Sequence, residues 1–250
     1  DVMDASDTRR GNPSVHKQFE ALHTLNNWSG SGSLFGEGAA ILVGDLALSW
    51  ADEMLLTSGI DSAQTLRAKA VYDVMRTELM SGQYLDLLEQ VRGQITQERA
   101  ETVIRYKSAK YTIERPLHMG AAIADANVDL LTSLSSYGLS LGEAFQLRDD
   151  LLGVFGEPSI TGKPAGDDLR EGKQTMLIAF AYSHATANDC AVLTKHLGSN
   201  AISPAEIEIL QDILINCGAQ KFIEQRISDC LDAALTSLEN PAYEIEVKNA

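Results

Sequence analysis

The stretch Phe145-Gln146-Leu147-Arg148-Asp149-Asp150-Leu151-Leu152-Gly153 decides how this chain is read. Gln146, Asp149, Asp150 and Gly153 fall at i, i+3, i+4 and i+7, so they form one stripe of a helix. Phe145, Leu151, Leu152 and, just beyond, Phe155 make the remainder core-like. Polar groups on an otherwise buried helix must face a partner, water or a metal, because leaving them unpaired away from water is costly. The competing account is an ordinary exposed face. Gly153 argues against it, since glycine adds nothing to a solvated surface and weakens a helix. The stripe is read as facing a metal.

Downstream, Glu157 to Gly172 contains Pro158, Gly162, Pro164, Gly166 and Gly172, so it is not helical throughout. Its glycines let backbone N–H groups approach an anion, and Lys163 and Lys173 add positive charge. The Gly162-Lys163 pair is not a P-loop, because the GxxxxGK[ST] spacing and a preceding strand are both missing. Elsewhere helical periodicity dominates and β-branched alternation is almost absent. The pattern predicts helices over 14–26, 35–57, 62–91, 97–114, 116–124, 127–137, 139–155, 173–186, 188–196, 204–216 and 219–238. Starts are signalled by Asp61 or Ser62, by Pro116, and by Ser203-Pro204 followed by Glu206. Gly38 to Ala51 is apolar on all sides, which predicts a place at the centre of a bundle, with Asp45 a hydrogen-bonded interior carboxylate. The fold class is all-α, a multi-helix bundle in a single domain over 1–250.

At the amino end, Asp1 and Asp4 are three apart, and on a helix they would share a face. Carboxylates so placed repel unless a hard divalent cation lies between them, and oxygen ligands suit magnesium. Arg9 and Arg10 follow, and guanidinium forks match diphosphate oxygens. A solvated helix end is the plainer account of this cluster taken alone. Lys107-Ser108 sets a further cation beside a hydroxyl; alone, it is a surface lysine.

The chain has 250 residues, and 44% are hydrophobic, enough to bury a large core. Lys plus Arg number 20 against 35 Asp plus Glu, a net charge of −15, which argues against nucleic acid and anionic lipid as partners. An anionic substrate would therefore need local cations or a divalent metal. Cys190, Cys217 and Cys230 form no CxxC pair and suit a reducing compartment. The five histidines make no ligand set and are read as structural. The longest apolar run is broken by Gly44 and Asp45, so no membrane span is expected, and the localisation read from this is cytoplasmic. The chain opens on Asp1 rather than Met, and helices ahead of it are expected to be unrepresented.

Together these clusters resemble the trans-prenyl diphosphate synthase (polyprenyl synthetase) family. Asp1 and Asp4, with Arg9-Arg10-Gly11 behind them, are similar to its first aspartate-rich motif without the leading aspartate. Phe145-Gln146-x-x-Asp149-Asp150 resembles the second motif, Lys163 the diphosphate-binding lysine, Lys107-Ser108 the Lys-Thr pair, and Gly82-Gln83-x-x-Asp86 another recurrent helix motif. Gly153 departs from the many members with a third aspartate there, which implies a second metal site with fewer carboxylates. The bacterial geranylgeranyl subgroup is closest in texture, through Asp149-Asp150-Leu151-Leu152-Gly153-Val154-Phe155-Gly156 and Gly166-Asp167-Asp168-Leu169-Arg170-Glu171-Gly172-Lys173.

The resemblance implies an isoprenoid synthase bundle around a central cavity, working as a homodimer that condenses isopentenyl diphosphate with an allylic diphosphate. Asp1, Asp4, Asp149 and Asp150 would be the metal ligands, holding three magnesium ions. Arg9, Lys107, Lys163 and Lys173 would neutralise the leaving diphosphate, and Arg10 would help to hold isopentenyl diphosphate. Gln146 and Ser108 would flank the developing cation as oxygen dipoles. The 157–173 loop, whose glycines and prolines exclude a regular helix and which carries Lys163 and Lys173 in a chain of net charge −15, is expected to order over bound diphosphate, with Asp167 and Asp168 either touching metal-bound water or anchoring the loop. Two other readings stand beside the resemblance. A class I terpene cyclase would need [N/D]Dxx[S/T]xxxE, but after Asn188-Asp189 the hydroxyl position holds Val192. A non-catalytic regulatory subunit of a heteromeric synthase should show decayed motifs, and only Gly153 hints at that.

Overall fold

A computed structural model describes residues 1–3, 6–9, 11–157, 166–199 and 202–239. Asp4, Arg10 and Lys163 lie outside the described residues. Val2 and Met3 form a turn, and the Asp1 carbonyl accepts from the Ser6 N–H at 3.0 Å, so Asp1 leads into a turn and not into a helix. Strands β1 (Thr8–Arg9) and β2 (Asn12–Pro13) make a two-stranded antiparallel ribbon, with Thr8 opposite Pro13 and Arg9 opposite Asn12. All other described elements are helical: α1 (Val15–Leu25), α2 (Gly32–Leu56), α3 (Ser62–Arg92), α4 (Gln97–Val103), a π-helix (Ile104–Glu114), α5 (Arg115–Ile123) and α6 (Val128–Phe155). There follow α7 (Asp167–Glu171), α8 (Met176–His184), α9 (Ala187–His196), α10 (Pro204–Asn216) and α11 (Ala219–Leu238).

Helix starts follow local chemistry. Asp61 accepts from the N–H groups of Ala63 and Gln64 at 2.8 and 2.9 Å, while the Gln64 side chain accepts from the Asp61 N–H, a reciprocal box. Ser203 and Glu206 make the same arrangement at α10, with Pro204 in its first turn. Asn127 caps α6 through the N–H of Leu130 at 2.9 Å.

The structure corrects three boundaries. The break expected at Gly138 is absent, because α6 runs unbroken from 128 to 155. Gly138 is there for proximity: a Cβ would stand 2.8 Å from the Cα of Glu114. The break expected at Pro116 is also absent. Pro116 sits in the first turn of α5, where a missing N–H is tolerated, and α4, the π-helix and α5 form one continuous rod. The 157–172 stretch is not loop throughout, since α7 occupies 167–171.

The principal core lies among α6, α8, α9, α10 and α11, where Leu147, Leu177, Leu193, Leu210, Leu214 and Ile223 are fully buried. It fixes the end of α6 that carries Asp149 and Asp150. Not all residues expected in that core are there: Phe145 and Leu152 are exposed, and Leu147 and Val154 take the inward face instead. The placing of α2 at the bundle centre is also overturned. It packs chiefly against α1, and Ile41, Leu42 (68% exposed), Leu46, Trp50 (58% exposed) and Met54 face outward. Asp45 is likewise exposed and not an interior carboxylate. A helix apolar on every side needs neighbours on every side, and this single chain supplies them on only part of its circumference. Among the described residues no helix is long and apolar enough to cross a membrane.

Candidate active site

The rod formed by α4, the π-helix and α5 lies between α3 and α6, and glycines let the three backbones approach closely. A Cβ at Gly82 would stand 2.5 Å from the Tyr106 carbonyl carbon, and one at Gly142 2.5 Å from the Cα of Ala109. No real Cβ comes so near, so both positions require glycine as packed. This closeness brings short polar side chains on neighbouring helices within reach. The Ser108 hydroxyl donates to Gln146 Oε1 at 2.5 Å, and Gln146 Nε2 donates to Asp150 Oδ1 at 2.7 Å. From α3, Asp86 Oδ2 accepts from the Lys107 ammonium at 2.5 Å.

These groups line a cavity of about 210 Å³ together with Arg9, Asp149, Asp168 and Lys173, and Ala100, Val103, Ile104 and Met176 supply an apolar wall. Of the residues singled out in the sequence, the structure therefore brings together Arg9, Lys107, Ser108, Gln146, Asp149, Asp150 and Lys173. Asp1 is not part of the lining; its Oδ1 lies 4.0 Å from Arg9 Nε, just behind. Lys173 is not the mobile cation expected. Its ammonium is 2.8 Å from Asp168 Oδ1 and 2.8 Å from Glu171 Oε2. Burial works against its charged form, but Asp168 and Glu171 more than offset this and hold it well above the usual lysine range. Asp168 and Leu169 are buried, so the 166–173 end of the loop is packed into the protein.

The sequence reading missed Asp86 as a cavity residue, although its spacing of four from Gly82 puts it on the same α3 face. It also missed Gln174 and Thr175. Their Oε1 and Oγ1 atoms are buried, line the cavity, and have no hydrogen-bond partner among the described residues. Such atoms mark a place for water or a ligand. Burial, then the neighbouring Asp168, pushes the Asp150 carboxyl up to about 8, with Gln146 pulling the other way. Gly153 now has a physical reason: the Asp168 carboxylate lies directly against its Cα, in the space a side chain would need.

The donors fit magnesium chemically. They are hard oxygens, and carboxylates crowded in a buried site gain from a divalent cation between them. Among the described residues no three carboxylate, histidine or cysteine side chains converge on one point. That suits an ion held by one or two carboxylates, with its other positions left to water and phosphate oxygens.

A helical bundle whose cavity is lined by carboxylates, cations and a hydroxyl–amide pair is equipped for a metal-complexed anionic substrate. Comparison with known proteins specifies the class. Residues 1–214 match the polyprenyl synthetase family. The chain is 30% identical over 252 residues to the geranylfarnesyl diphosphate synthase of Aeropyrum pernix, covering 99% of this chain and 73% of that protein. It is 31% identical over 216 residues to the geranylgeranyl diphosphate synthase of Saccharolobus solfataricus, covering 86% of this chain and 60% of the relative. Among solved structures, it resembles the geranylgeranyl pyrophosphate synthase of Corynebacterium glutamicum complexed with isoprenyl diphosphate and magnesium. There the TM-score is 0.96 at 43% identity, over 100% of this chain and 70% of that one. The chain belongs to the polyprenyl synthetase family, the all-α prenyltransferases of isoprenoid biosynthesis.

Proposed function

We propose that the protein containing this chain condenses isopentenyl diphosphate with an allylic diphosphate, and that its product is geranylgeranyl diphosphate. The observation that carries this reading is the Ser108–Gln146–Asp150 chain, set in one cavity with Asp149, Lys107 and Arg9. Asp149 is the exposed carboxylate of the second motif and is assigned as the main metal ligand there, with Asp150 behind it. Asp1 and Asp4 are assigned to the opposite side. Magnesium, as three ions in this proposal, supplies electrophilic neutralisation of the diphosphate as its carbon–oxygen bond breaks.

The remaining work falls to the chain's own groups. Arg9, Lys107 and Lys163 hold the departing diphosphate, and Arg10 holds that of isopentenyl diphosphate. The Gln146 carbonyl oxygen, fixed by the Ser108 hydroxyl, presents a preorganised dipole where the allylic carbon becomes cationic, at no reorganisation cost during reaction. Val103, Ile104 and Met176 keep water from the cation. Asp168 and Lys173 brace the downstream rim through their own ion pair.

The similarity to the Corynebacterium glutamicum synthase, at 43% identity, supports the geranylgeranyl product, while relatives at 33% identity include farnesyl diphosphate synthases. We further propose a homodimer in the cytoplasm, with the bare apolar flank of α2 as part of the contact. Incubating the purified full-length protein with labelled isopentenyl diphosphate and each allylic primer tests the proposal. Linear products of defined length support it. Cyclic hydrocarbons would favour a terpene cyclase, and no turnover without a second polypeptide would favour a regulatory subunit.

A further inference from the structure

The π-helix needs a cause. A helix with i→i+5 hydrogen bonds is rare, appears mostly as a single wide turn, and gives way to the α-form unless its surroundings insist on it. Here it runs for 11 residues between two ordinary α-helices with which it is continuous. Its sequence, Ile104-Arg105-Tyr106-Lys107-Ser108-Ala109-Lys110-Tyr111-Thr112-Ile113-Glu114, contains neither glycine nor proline to force the change.

What surrounds it does. Glu78 on α3 accepts from Lys110 Nζ at 2.8 Å through Oε1, and from Arg115 Nε and Nη2 at 2.7 Å each through Oε2 and Oε1. Lys110 and Arg115 are five residues apart. At 3.6 residues per turn, positions five apart point about 140° away from each other, and one carboxylate cannot readily grip both. In a π-helix five residues complete a hydrogen-bonded turn, so the two side chains fall on one face. Both carboxylate oxygens are engaged, and the Arg115 fork is bidentate. The cations hold the Glu78 carboxyl below its usual range even though burial pushes the other way.

We infer that Glu78, with Arg115, is a register clamp: a positioning pair that keeps residues 104–114 in the π-form and so sets where Lys107 and Ser108 enter the cavity. Contacts on the other flank agree with this register. Ala109 lies under Gly142 and Glu114 under Gly138, so five residues of the rod are matched to four of α6. With the clamp released, the segment should relax toward the α-form. The rotation between 109 and 114 then cannot keep Ser108 on Gln146 and Lys107 on Asp86 together.

The effect on turnover rests on the proposed function, but the register does not, so the test reads both. Glu78→Gln keeps the volume and removes the charge. The double variant Glu78→Met with Arg115→Met removes the buried pair, leaving Lys110 to Glu114, its neighbour at 3.4 Å; such apolar replacements of buried pairs commonly fold. Crystal structures of both should show i→i+4 hydrogen bonding through part of 104–114. Steady-state kinetics on the full-length protein should show kcat lowered on the order of 10–100-fold, as for a catalytic group misplaced by about 1 Å, with KM little changed. Glu89→Gln, which weakens the pair between α3 and Arg99 of α4, outside the π-helix, should lower thermal stability and leave both register and kcat alone. A retained i→i+5 ladder in either folded variant overturns the clamp, whatever the activity. A changed register with unchanged kcat upholds the clamp and removes Lys107 and Ser108 from the catalytic assignment.

Discussion

The carboxylate of Asp168 rests on the Cα of Gly153, and a Cβ built there would lie 2.9 Å from Oδ1 and closer still to the rest of the group. Asp168 is not free to swing away, because Lys173 holds it at 2.8 Å. Gly153→Ala should therefore cost about 1–3 kcal/mol, as overpacking does. Adding Asp168→Ala should recover part of that cost, a coupling to be read from a double-mutant cycle of denaturation midpoints. Strictly additive losses would mean the contact does not matter.

Asp149 is exposed on the cavity wall, so its removal leaves no hole in the core. Asp149→Ala should keep the thermal midpoint while kcat falls on the order of 10²–10³-fold. EDTA should abolish turnover and added magnesium restore it. Near-normal activity in the folded variant would take Asp149 out of the mechanism.

Ser108 and Gln146 are expected to differ in weight. Ser108→Ala loses one bond to the amide, whereas Gln146→Leu strips a partner from both Ser108 and the buried Asp150. The glutamine variant should lose more kcat and also more stability, since it leaves a buried carboxyl unpartnered. Equal losses in kinetics and melting would count against this hierarchy.

His118 gives a pH dependence with a definite sign. Its ring contacts Arg115 Nη1, the Leu131 carbonyl and the Ser135 hydroxyl, and burial lowers its pKa below 6.5. At this site the folded state thus binds fewer protons than the unfolded one just below pH 6.5, and the histidine's contribution to stability should fall as pH drops through that window. The carboxylates with lowered values, Asp73 and Glu78, act below about pH 4.5, whereas Asp150, pushed up to about 8, contributes with the opposite sign in the His118 window, so the histidine's part is read from the difference between wild type and variant. His118→Gln should raise the midpoint at about pH 5.5 relative to that at about pH 7.5, compared with the same difference in the wild type, measured by thermal melting. An unaltered slope would rule His118 out.

The apolar flank of α2 predicts association. Light scattering should report a dimer, and Leu42→Glu should weaken it by placing a charge in a dry contact. A strict monomer at micromolar concentration would oppose the dimer.

Much of this was legible from spacing. The i, i+3, i+4, i+7 stripe put Gln146, Asp149, Asp150 and Gly153 on one face; the first three line the cavity, and Gly153 lies against the Asp168 carboxylate. Helix starts at Asp61 and Ser203 were readable because capping is a local interaction. Gly138 was misread as a breaker because a glycine's purpose there depends on Glu114, 24 positions earlier in sequence, which no local pattern reveals. The setting of α2 was misread for a related reason. All-round apolarity states that cover is needed but not which molecule supplies it. The π-form of 104–114 left no local trace, since its cause is Glu78 on another helix.

The five-for-four match between the π-helix and α6 works as a vernier. Two α-helices with equal divisions can slip by one turn, roughly 5.4 Å, and find equivalent packing, and some proteins switch in that way. Two scales with unequal divisions coincide at only one setting. Gly138 against Glu114 and Gly142 against Ala109 are the coinciding marks, so the rod that carries Lys107 and Ser108 has one axial position and no neighbouring notch to slide into.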